Sequence, residues 1–231
     1  MADAPIPPFP PEPPPVPERA AIGLIETMRA EGGVVRLLDL HMVRLGEAAR
    51  HWQRPFDPDA VRARIPGVLR GGPDVARVRV VLGADGHADV TAVPFDGTPF
   101  ATAAVYPEPL VEAGTWRCRF KTTAREHYSR AIAWARSVGV DEPVLVNVNG
   151  EVSEGARTNV WLREGASWVT PALASGGFGG IERAVWLATR GTRGVRVTPE
   201  RLAAADAVWL CNAVRGRMPV RLVTPPSAGR A

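Results

Sequence analysis

Apolar and polar residues alternate in short stretches of the first hundred residues, and this period of two predicts β-strands. The stretches are IGLIETMRA, VVRLL, VARVRVVLG, ADVTAVPF and ATAAVYP. Turn residues separate neighbouring stretches at Gly32-Gly33 and at Ala84-Asp85-Gly86, as expected of antiparallel connections. The first part of the chain is therefore predicted to contain a small sheet.

Two stretches between these strands have helical periodicity. Asp39 is expected to cap the helix LHMVRLGEAARHW, and PDAVRARIPGVLR predicts a shorter helix interrupted at Pro66. The apolar stripe of the first helix comprises Leu40, Val43, Leu45 and Ala48. Strands and helices together predict a small α/β domain over residues 20–108.

The pattern changes beyond this unit. A helix is expected to begin at Thr122 or Thr123, and two hairpins follow with turns at Asn149-Gly150 and Glu164-Gly165. The remaining segments predict a helix, a strand, a short helix and two more strands. These elements indicate a larger second domain over residues 109–231.

Composition and charge narrow the classes of function. The chain has 231 residues, of which 45% are hydrophobic and 23% charged, as in ordinary globular proteins. Prolines dominate residues 1–19, and this composition predicts an extended arm. The segment has no basic region followed by an apolar stretch, so it is not expected to be a secretory signal. Because no apolar run approaches the roughly 20 residues that span a bilayer, we expect no membrane segment and a cytoplasmic location.

The net charge of +4 invites comparison with nucleic-acid-binding proteins. The arginines are scattered instead of clustered, so no nucleic-acid partner is predicted, and a small anionic ligand explains the charge equally well. Two cysteines and four histidines are too dispersed to form a metal motif.

Lys121, in FKTTAREHY, is the only lysine among 28 basic residues. Arginine can replace lysine in ion pairs, but it cannot lose its proton and form a Schiff base. The expected helix N-terminus beside Lys121 would disfavour the ammonium form. The alternative is an exposed lysine that an arginine-rich composition left by chance.

Three further features carry chemical potential. Glu154, in SEGARTNVW, could keep a pyridinium nitrogen protonated, which makes such a ring a better electron sink. The loop and helix start GGFGGIER could bind phosphate through backbone N–H groups. Arg44, in HMVRL, could grip a phosphate with two donors. Taken singly, each is equally typical of an ordinary turn or surface residue.

Taken in order, these segments resemble the class IV aminotransferase family, the fold-type IV enzymes that use pyridoxal 5′-phosphate (PLP). The six matching stretches are LIETMR, LLDLHMVRL, FKTTAREHY, SEGARTNVWL, VTPAL…GGIERA and ADAVWLCNAVRGRMPV. The resemblance implies an α+β fold of two domains, like that of D-amino acid aminotransferase. A small N-terminal α/β domain would precede a C-terminal domain with a barrel-like sheet and helices.

The resemblance also implies residue roles. Lys121 matches the lysine that forms a Schiff base with PLP and moves protons, and Glu154 matches the glutamate that faces the pyridine nitrogen. Arg44 matches the phosphate-binding arginine. Backbone N–H groups expected to complete the phosphate site belong to Ile181, Glu182, Asn212 and Ala213. The Glu182 carboxylate would suit this site only if it points away from the phosphate.

Within the family, LIETMR and NAVRGRMPV resemble 4-amino-4-deoxychorismate lyases most. Such an enzyme releases pyruvate and leaves 4-aminobenzoate for folate synthesis. The alternatives are a transaminase of branched-chain or D-amino acids and a catalytically silent PLP-binding relative. Candidate arginines for the carboxylates of an anionic amine substrate are Arg29, Arg117, Arg119 and Arg215.

Family members usually form homodimers, and a homodimer is expected here. Longer members carry a strand and a loop before the segment that matches LIETMR, whereas the proline-rich arm occupies this place in the present sequence. That region helps to line the substrate site, so its replacement leaves the substrate open.

Overall fold

The computed structural model describes residues 12–225. Its helices are α1 (Val16–Ala21), α2 (Leu38–His51), α3 (Pro58–Leu69), α4 (Trp116–Arg119), α5 (Glu126–Ser137), α6 (Ile181–Arg190) and α7 (Pro199–Ala204). The strands of the first half are β1 (Leu24–Glu31), β2 (Val34–Val35), β3 (Val75–Leu82), β4 (Ala88–Pro94) and β5 (Thr102–Val105). Those of the second half are β6 (Glu142–Val146), β7 (Val152–Gly155), β8 (Asn159–Glu164), β9 (Ser167–Pro171), β10 (Gly194–Val195), β11 (Ala207–Asn212) and β12 (Gly216–Leu222).

The first sheet is antiparallel and has the strand order β2-β1-β3-β4. One of its faces is apolar because alternate residues of β1 and β3, such as Met28 and Val78, are fully buried. This face packs against Leu45 of α2, against Trp52, which directly follows α2, and against Val61 of α3. The opposite face carries Ile25, Thr27, Arg77 and Arg79 and borders the candidate site.

The second sheet has eight strands in the order β10-β9-β8-β11-β12-β5-β6-β7. Its pairings are parallel at β10–β9, β12–β5 and β5–β6, and antiparallel elsewhere. β7 stands at one end of this order yet contacts β8 and β9 near the other end, so the sheet curls towards a half-barrel. The two-domain α+β fold class expected from the sequence is confirmed.

Backbone pairing connects the segment before α5 to the first sheet. The Ile25 N–H donates to the Lys121 carbonyl at 2.8 Å, and the Thr123 N–H donates to the Gly23 carbonyl at 2.9 Å. A side chain at Gly23 would bring its Cβ to 2.7 Å from Val81, so only glycine allows this close approach. The pairing holds Lys121 against the start of β1.

Several local predictions are confirmed, including the hairpins β6–β7 and β8–β9 and the β3–β4 connection. Others were wrong. The VVRLL strand shortens to β2, and α2 begins after Leu37, whose φ of 55° turns the chain sharply into the helix. Asp39 therefore does not cap α2: it lies in the first turn, where its exposed carboxylate accepts a hydrogen bond from Arg62.

Pro66 does not interrupt α3, because its ring lies on the exposed side while Val61 and Ile65 keep the other side buried. The predicted arm contains the short helix α1, and its first eleven residues lie outside the described residues. β5 was placed with the small domain ending at residue 108, but its hydrogen bonds to β12 and β6 put it in the eight-stranded sheet. Within residues 12–225, no helix combines the length and apolarity needed to cross a membrane.

Arg54 offers a test of how the N-terminal segment is held. Its buried guanidinium donates to the carbonyls of Leu82, Arg19 and Ile22 at 2.9, 2.7 and 2.5 Å. Arg54→Met leaves buried acceptors without donors, and we expect the free energy of unfolding in urea to fall by about 2–3 kcal/mol. Arg50→Met, at an exposed position of α2, is the matched control and should change stability by less than about 0.5 kcal/mol. Equal stability of the two variants would contradict this account.

Candidate active site

A cavity of about 220 Å³ opens between the two sheets. Elements from both halves of the chain contribute to its wall, including β1, β3, α2, β7, the loop before α6 and the β11–β12 turn. Of the predicted site residues, those that line it are Arg44, Lys121, Glu154, Ile181, Asn212 and Ala213. Residues far apart in the sequence thus meet at one site.

Lys121 points its amine into this cavity, where Nζ lies 5.7 Å from the centre of the Phe178 ring. The pKa of Lys121 is lowered to about 7, and burial is the largest cause. The positive charges of Arg125 and Arg44 lower it as well, and their effect exceeds that of the carboxylates Glu26 and Glu154, which raise it. Near neutral pH a large fraction of this amine is therefore unprotonated and nucleophilic.

The cause of this shift differs from the sequence prediction, which invoked a helix N-terminus beside Lys121. α5 begins only at Glu126, because residues 121–123 are taken up by the pairing with β1. Burial and neighbouring guanidinium groups replace the helix dipole as the physical reason.

Glu154 lies on β7 and is buried, with only 4% of its surface exposed. The Tyr128 hydroxyl of α5 donates to Glu154 Oε1 at 2.6 Å. Burial raises the pKa of Glu154 to about 7, although the bonds from Tyr128 and the Phe178 N–H and the charges of Arg125 and Lys121 oppose this rise. The carboxyl group can therefore hold or release a proton near neutral pH.

Arg44, on α2, is fixed by the buried Glu26. Its Nε and Nη2 donate to the two oxygens of Glu26 at 2.8 and 2.6 Å, and Nη1 donates to the Gly179 carbonyl at 3.1 Å. His41 Nδ1 donates to the same carboxylate at 2.7 Å. Burial alone would raise the pKa of Glu26, but Arg44 and His41 hold it at about 2. One N–H on each Nη of Arg44 remains available to a ligand.

Phe178 occupies the centre of the site, a role that the sequence did not predict. Its ring lies 4.8 Å from the Arg44 guanidinium, and its backbone N–H bonds to Glu154. Its carbonyl accepts from Asn159 Nδ2 at 2.7 Å and from the Gly180 N–H at 3.0 Å. The glycine-rich loop is thereby held rigidly in front of α6.

The start of α6 presents backbone donors to the cavity. Gly180 is the N-cap and supplies no side-chain hydrogen bond, so the N–H groups of the first turn, including that of Ile181, have no capping partner. A Cβ at Gly180 would stand 2.1 Å from Asn159 Oδ1, so this position must remain glycine. Such a helix start favours an anion.

Glu182 does not line the cavity. Its buried carboxylate turns away from the helix start and accepts a hydrogen bond from Arg217 Nε at 2.8 Å. The Arg217 guanidinium lies over Trp186, 4.8 Å from its ring centre. The negative charge of Glu182 is thus neutralised away from the N–H groups of α6.

Asn212 ends β11 and shapes the turn into β12. Its Oδ1 accepts from the backbone N–H groups of Val214 and Arg215 at 3.0 and 2.7 Å, and its Nδ2 donates to the Arg157 carbonyl at 3.1 Å. Ala213, at the tip of this turn, lines the cavity with its neighbours. These hydrogen bonds fix the turn as part of the cavity wall.

Only one of the four candidate substrate arginines, Arg215, lines this cavity. Arg29 pairs with Glu31, and Arg117 pairs with Glu18 and Glu126. Arg119 lines an adjoining cavity that shares Phe120, Lys121 and Phe178 with the first. The arginines of the wall that sequence reasoning missed are Arg77, Arg79, Arg125 and Arg157. The alternation in VARVRV carried a signal for the first two, because it places both on one face of a strand.

A half-buried lysine with a lowered pKa, a buried carboxyl group and an anion-binding helix start around one cavity define a site for a phosphorylated carbonyl cofactor. The sequence profile of amino-transferase class IV matches residues 23–223. The chain belongs to this family, whose members are PLP-dependent lyases and transferases.

Solved structures with the same fold include three informative examples. A proposed amino-acid aminotransferase from Mesorhizobium loti shares 29% identity at a TM-score of 0.81, over 87% of this chain and 100% of that one. A proposed 4-amino-4-deoxychorismate lyase from Legionella pneumophila shares 21% identity at a TM-score of 0.74, over 87% of this chain and 82% of that one. The branched-chain amino acid aminotransferase from Escherichia coli shares 22% identity at a TM-score of 0.76, over 87% of this chain and 76% of that one. No curated protein matches the chain significantly.

The lowered pKa of Lys121 can be measured directly because the chain has no other lysine. We expect reductive methylation of Lys121, followed by peptide mass spectrometry, to rise with pH and reach half its maximum near pH 7, since the neutral amine is the reactive form. Arg125→Gln should move this midpoint to higher pH, because it removes the positive charge that lowers the pKa of Lys121 most after burial. A midpoint near the ordinary value of about 10.4 in both proteins would refute the account.

Proposed function

We propose that this chain is a PLP-dependent lyase that converts 4-amino-4-deoxychorismate into 4-aminobenzoate and pyruvate. The observation that carries the proposal is the charge of the cavity wall. Six arginines line it beside Lys121, whereas Glu154 is the one acidic residue in its lining. The proposed substrate brings two carboxylates and an amine, and together with a phosphate these would balance such a wall.

The residues present fit PLP. The Lys121 amine is nucleophilic near neutral pH, and the Glu154 carboxyl group lies in the same cavity. The uncapped start of α6 and the Arg44 donors offer a phosphate site, and the Glu182 carboxylate points away from it. We assign the carbonyl carbon to Lys121, the pyridine nitrogen to Glu154, and the phosphate to Arg44 and the N–H groups of Ile181, Asn212 and Ala213. Glu182, which the sequence also suggested for the phosphate, does not line the cavity.

The protein groups then act around the cofactor, which supplies an electron sink for the carbon that bears the substrate amine. Lys121 Nζ, neutral near pH 7, accepts the proton from that carbon. Loss of this proton together with cleavage of the ether bond at the neighbouring carbon makes the substrate ring aromatic, and the pyruvate enolate that leaves takes up the proton held by Lys121 Nζ to give pyruvate. Glu154, held by the hydrogen bond from Tyr128, would stabilise positive charge on the pyridine nitrogen of the cofactor.

A transaminase of branched-chain or D-amino acids is the second candidate. It is favoured by the similarity to the Mesorhizobium loti structure, the whole length of which is matched by 87% of this chain. The two functions differ in what they consume, because a transaminase requires a keto acid as amino acceptor and a lyase does not.

Family resemblance further leads us to propose a homodimer that acts in the cytoplasm in folate synthesis. None of these three assignments is needed for the chemistry derived above. Sedimentation of the PLP-loaded protein would test the homodimer, and a monomeric active enzyme would exclude it.

Pyruvate formation tests the proposed function. PLP-loaded protein given 4-amino-4-deoxychorismate without a keto acid should release pyruvate and 4-aminobenzoate in equal amounts, followed by lactate dehydrogenase coupling and chromatography. Lys121→Ala should abolish release, because no other lysine can replace its amine. Amino transfer from branched-chain or D-amino acids to 2-oxoglutarate, with no pyruvate release, would establish the transaminase instead.

Tyr128 should set the proton affinity of Glu154. The hydrogen bond from Tyr128 lowers the pKa of this carboxyl group, so Tyr128→Phe raises it and keeps Glu154 protonated up to higher pH. We expect the acidic limb of the kcat profile to shift to higher pH and kcat at pH 7 to fall about tenfold. Tyr106→Phe is the matched control, because Tyr106 is the only other tyrosine and does not line the cavity. An identical pH profile for both variants would argue against this role.

A further inference from the structure

Strand β3 presents two arginines to the cavity on the face opposite the hydrophobic core. Ala76, Val78 and Val80 are fully buried under α2 and α3, whereas Arg77 and Arg79 alternate with them and line the cavity wall. Arg77 is exposed at the cavity edge, and Arg79 is half-buried. The pleat of the strand therefore directs both guanidinium groups to the same side as Lys121 and Glu154.

These two guanidinium groups differ from the other arginines of the wall. Arg44 and Arg157 are each paired with a buried glutamate, Glu26 and Glu142. Arg125 and Arg215 donate to backbone carbonyls. Within residues 12–225, by contrast, Arg77 and Arg79 have no carboxylate within ion-pair distance and no hydrogen-bond acceptor.

An unpaired, half-buried guanidinium group is unfavourable unless an anion neutralises it. Burial lowers the pKa of Arg79, and the positive charges of Arg125 and Arg77 lower it further. Thr27, directly opposite Arg79 on β1, adds a hydroxyl group to the same wall. Guanidinium groups and a hydroxyl are donors that a carboxylate accepts from.

The position of this group separates it from the proposed phosphate site, whose donors come from α2, α6 and the β11–β12 turn. Ile25 is bonded to the Lys121 backbone, and Thr27 is two residues further along β1, or about 7 Å at the usual rise of a strand. A ligand that reacts at Lys121 would therefore reach Arg79 with a part remote from its amine.

We propose that Arg77, Arg79 and Thr27 form a subsite for a substrate carboxylate remote from the reacting amine, so that the enzyme selects amines with two carboxylates. This inference rests on the proposed function for the identity of the substrate. A branched-chain amino acid has one carboxylate, next to its amine, and would leave both guanidinium groups without a counter-ion. The subsite thereby favours the lyase substrate over those of the alternative transaminase.

Equilibrium binding of unreactive probes tests the subsite. The dissociation constants of isophthalate, an aromatic dicarboxylate, and of benzoate would be measured by calorimetry on PLP-loaded wild type, Arg77→Gln and Arg79→Gln. We expect each substitution to weaken isophthalate about tenfold and benzoate much less, because one charge-assisted contact is lost. Arg163→Gln is the matched control: it changes an exposed strand arginine outside the cavity and should leave both constants unchanged.

Kinetics with 4-amino-4-deoxychorismate supply the second measurement. Both cavity variants should raise KM about tenfold with kcat within about threefold of wild type, as expected when binding alone is lost. Unchanged isophthalate affinity and KM in both variants, or no isophthalate binding by the wild type, would overturn the subsite. If the wild type releases no pyruvate but binds isophthalate through these arginines, the lyase assignment fails and the dicarboxylate subsite stands.

Discussion

The backbone pairing between residues 23–25 and residues 121–123 is the constraint on which the site depends. It joins the start of the first sheet to the segment that leads into α5, and it fixes the Lys121 backbone at the boundary of the two sheets. Thr123 strengthens the contact, since its Oγ1 accepts from the Gly23 N–H at 2.9 Å. The Lys121 amine is therefore carried by a strand-like segment that is paired to β1.

Charge is organised around this fixed amine in two layers. Buried glutamates behind the wall hold individual arginines in place, as Glu26 holds Arg44 and Glu142 holds Arg157. In front of them, Lys121 and Glu154 have pKa values shifted towards each other, both to about 7. The paired arginines act as fixed charges, while the two shifted groups are able to exchange protons near neutral pH.

The order of short motifs was enough to predict the fold class and a minority of the residues that line the cavity. Lys121, Glu154 and Arg44 were found because each belongs to a local pattern with a distinct chemical reason. Phe178 and Tyr128 could not be found in this way, since their roles depend on contacts with residues distant in sequence. The helix expected at Thr122 failed for the same reason: a long-range pairing overrode the local preference.

The direction of the Glu182 side chain is set by a tertiary contact and could not be predicted from the local sequence. A carboxylate at the start of α6 opposes phosphate binding if it faces the ligand, and local sequence does not determine its direction. Arg217, which precedes Met218 on a distant strand, captures the side chain and turns it into the protein. The N–H groups of α6 then act without a competing negative charge.

Because Lys121 is the only lysine of the chain, every other cation of the cavity wall is an arginine. A guanidinium group stays protonated across the physiological range, so the positive potential of the wall does not change with pH. Lys121 is consequently the one cation of the wall able to lose its proton, and the surrounding arginines favour that loss. A second lysine beside it would titrate together with Lys121, and the proton would then be distributed over two amines. The arginine-rich wall therefore attracts anions. It also leaves Lys121 as the one basic group of the wall that can exchange a proton near neutral pH.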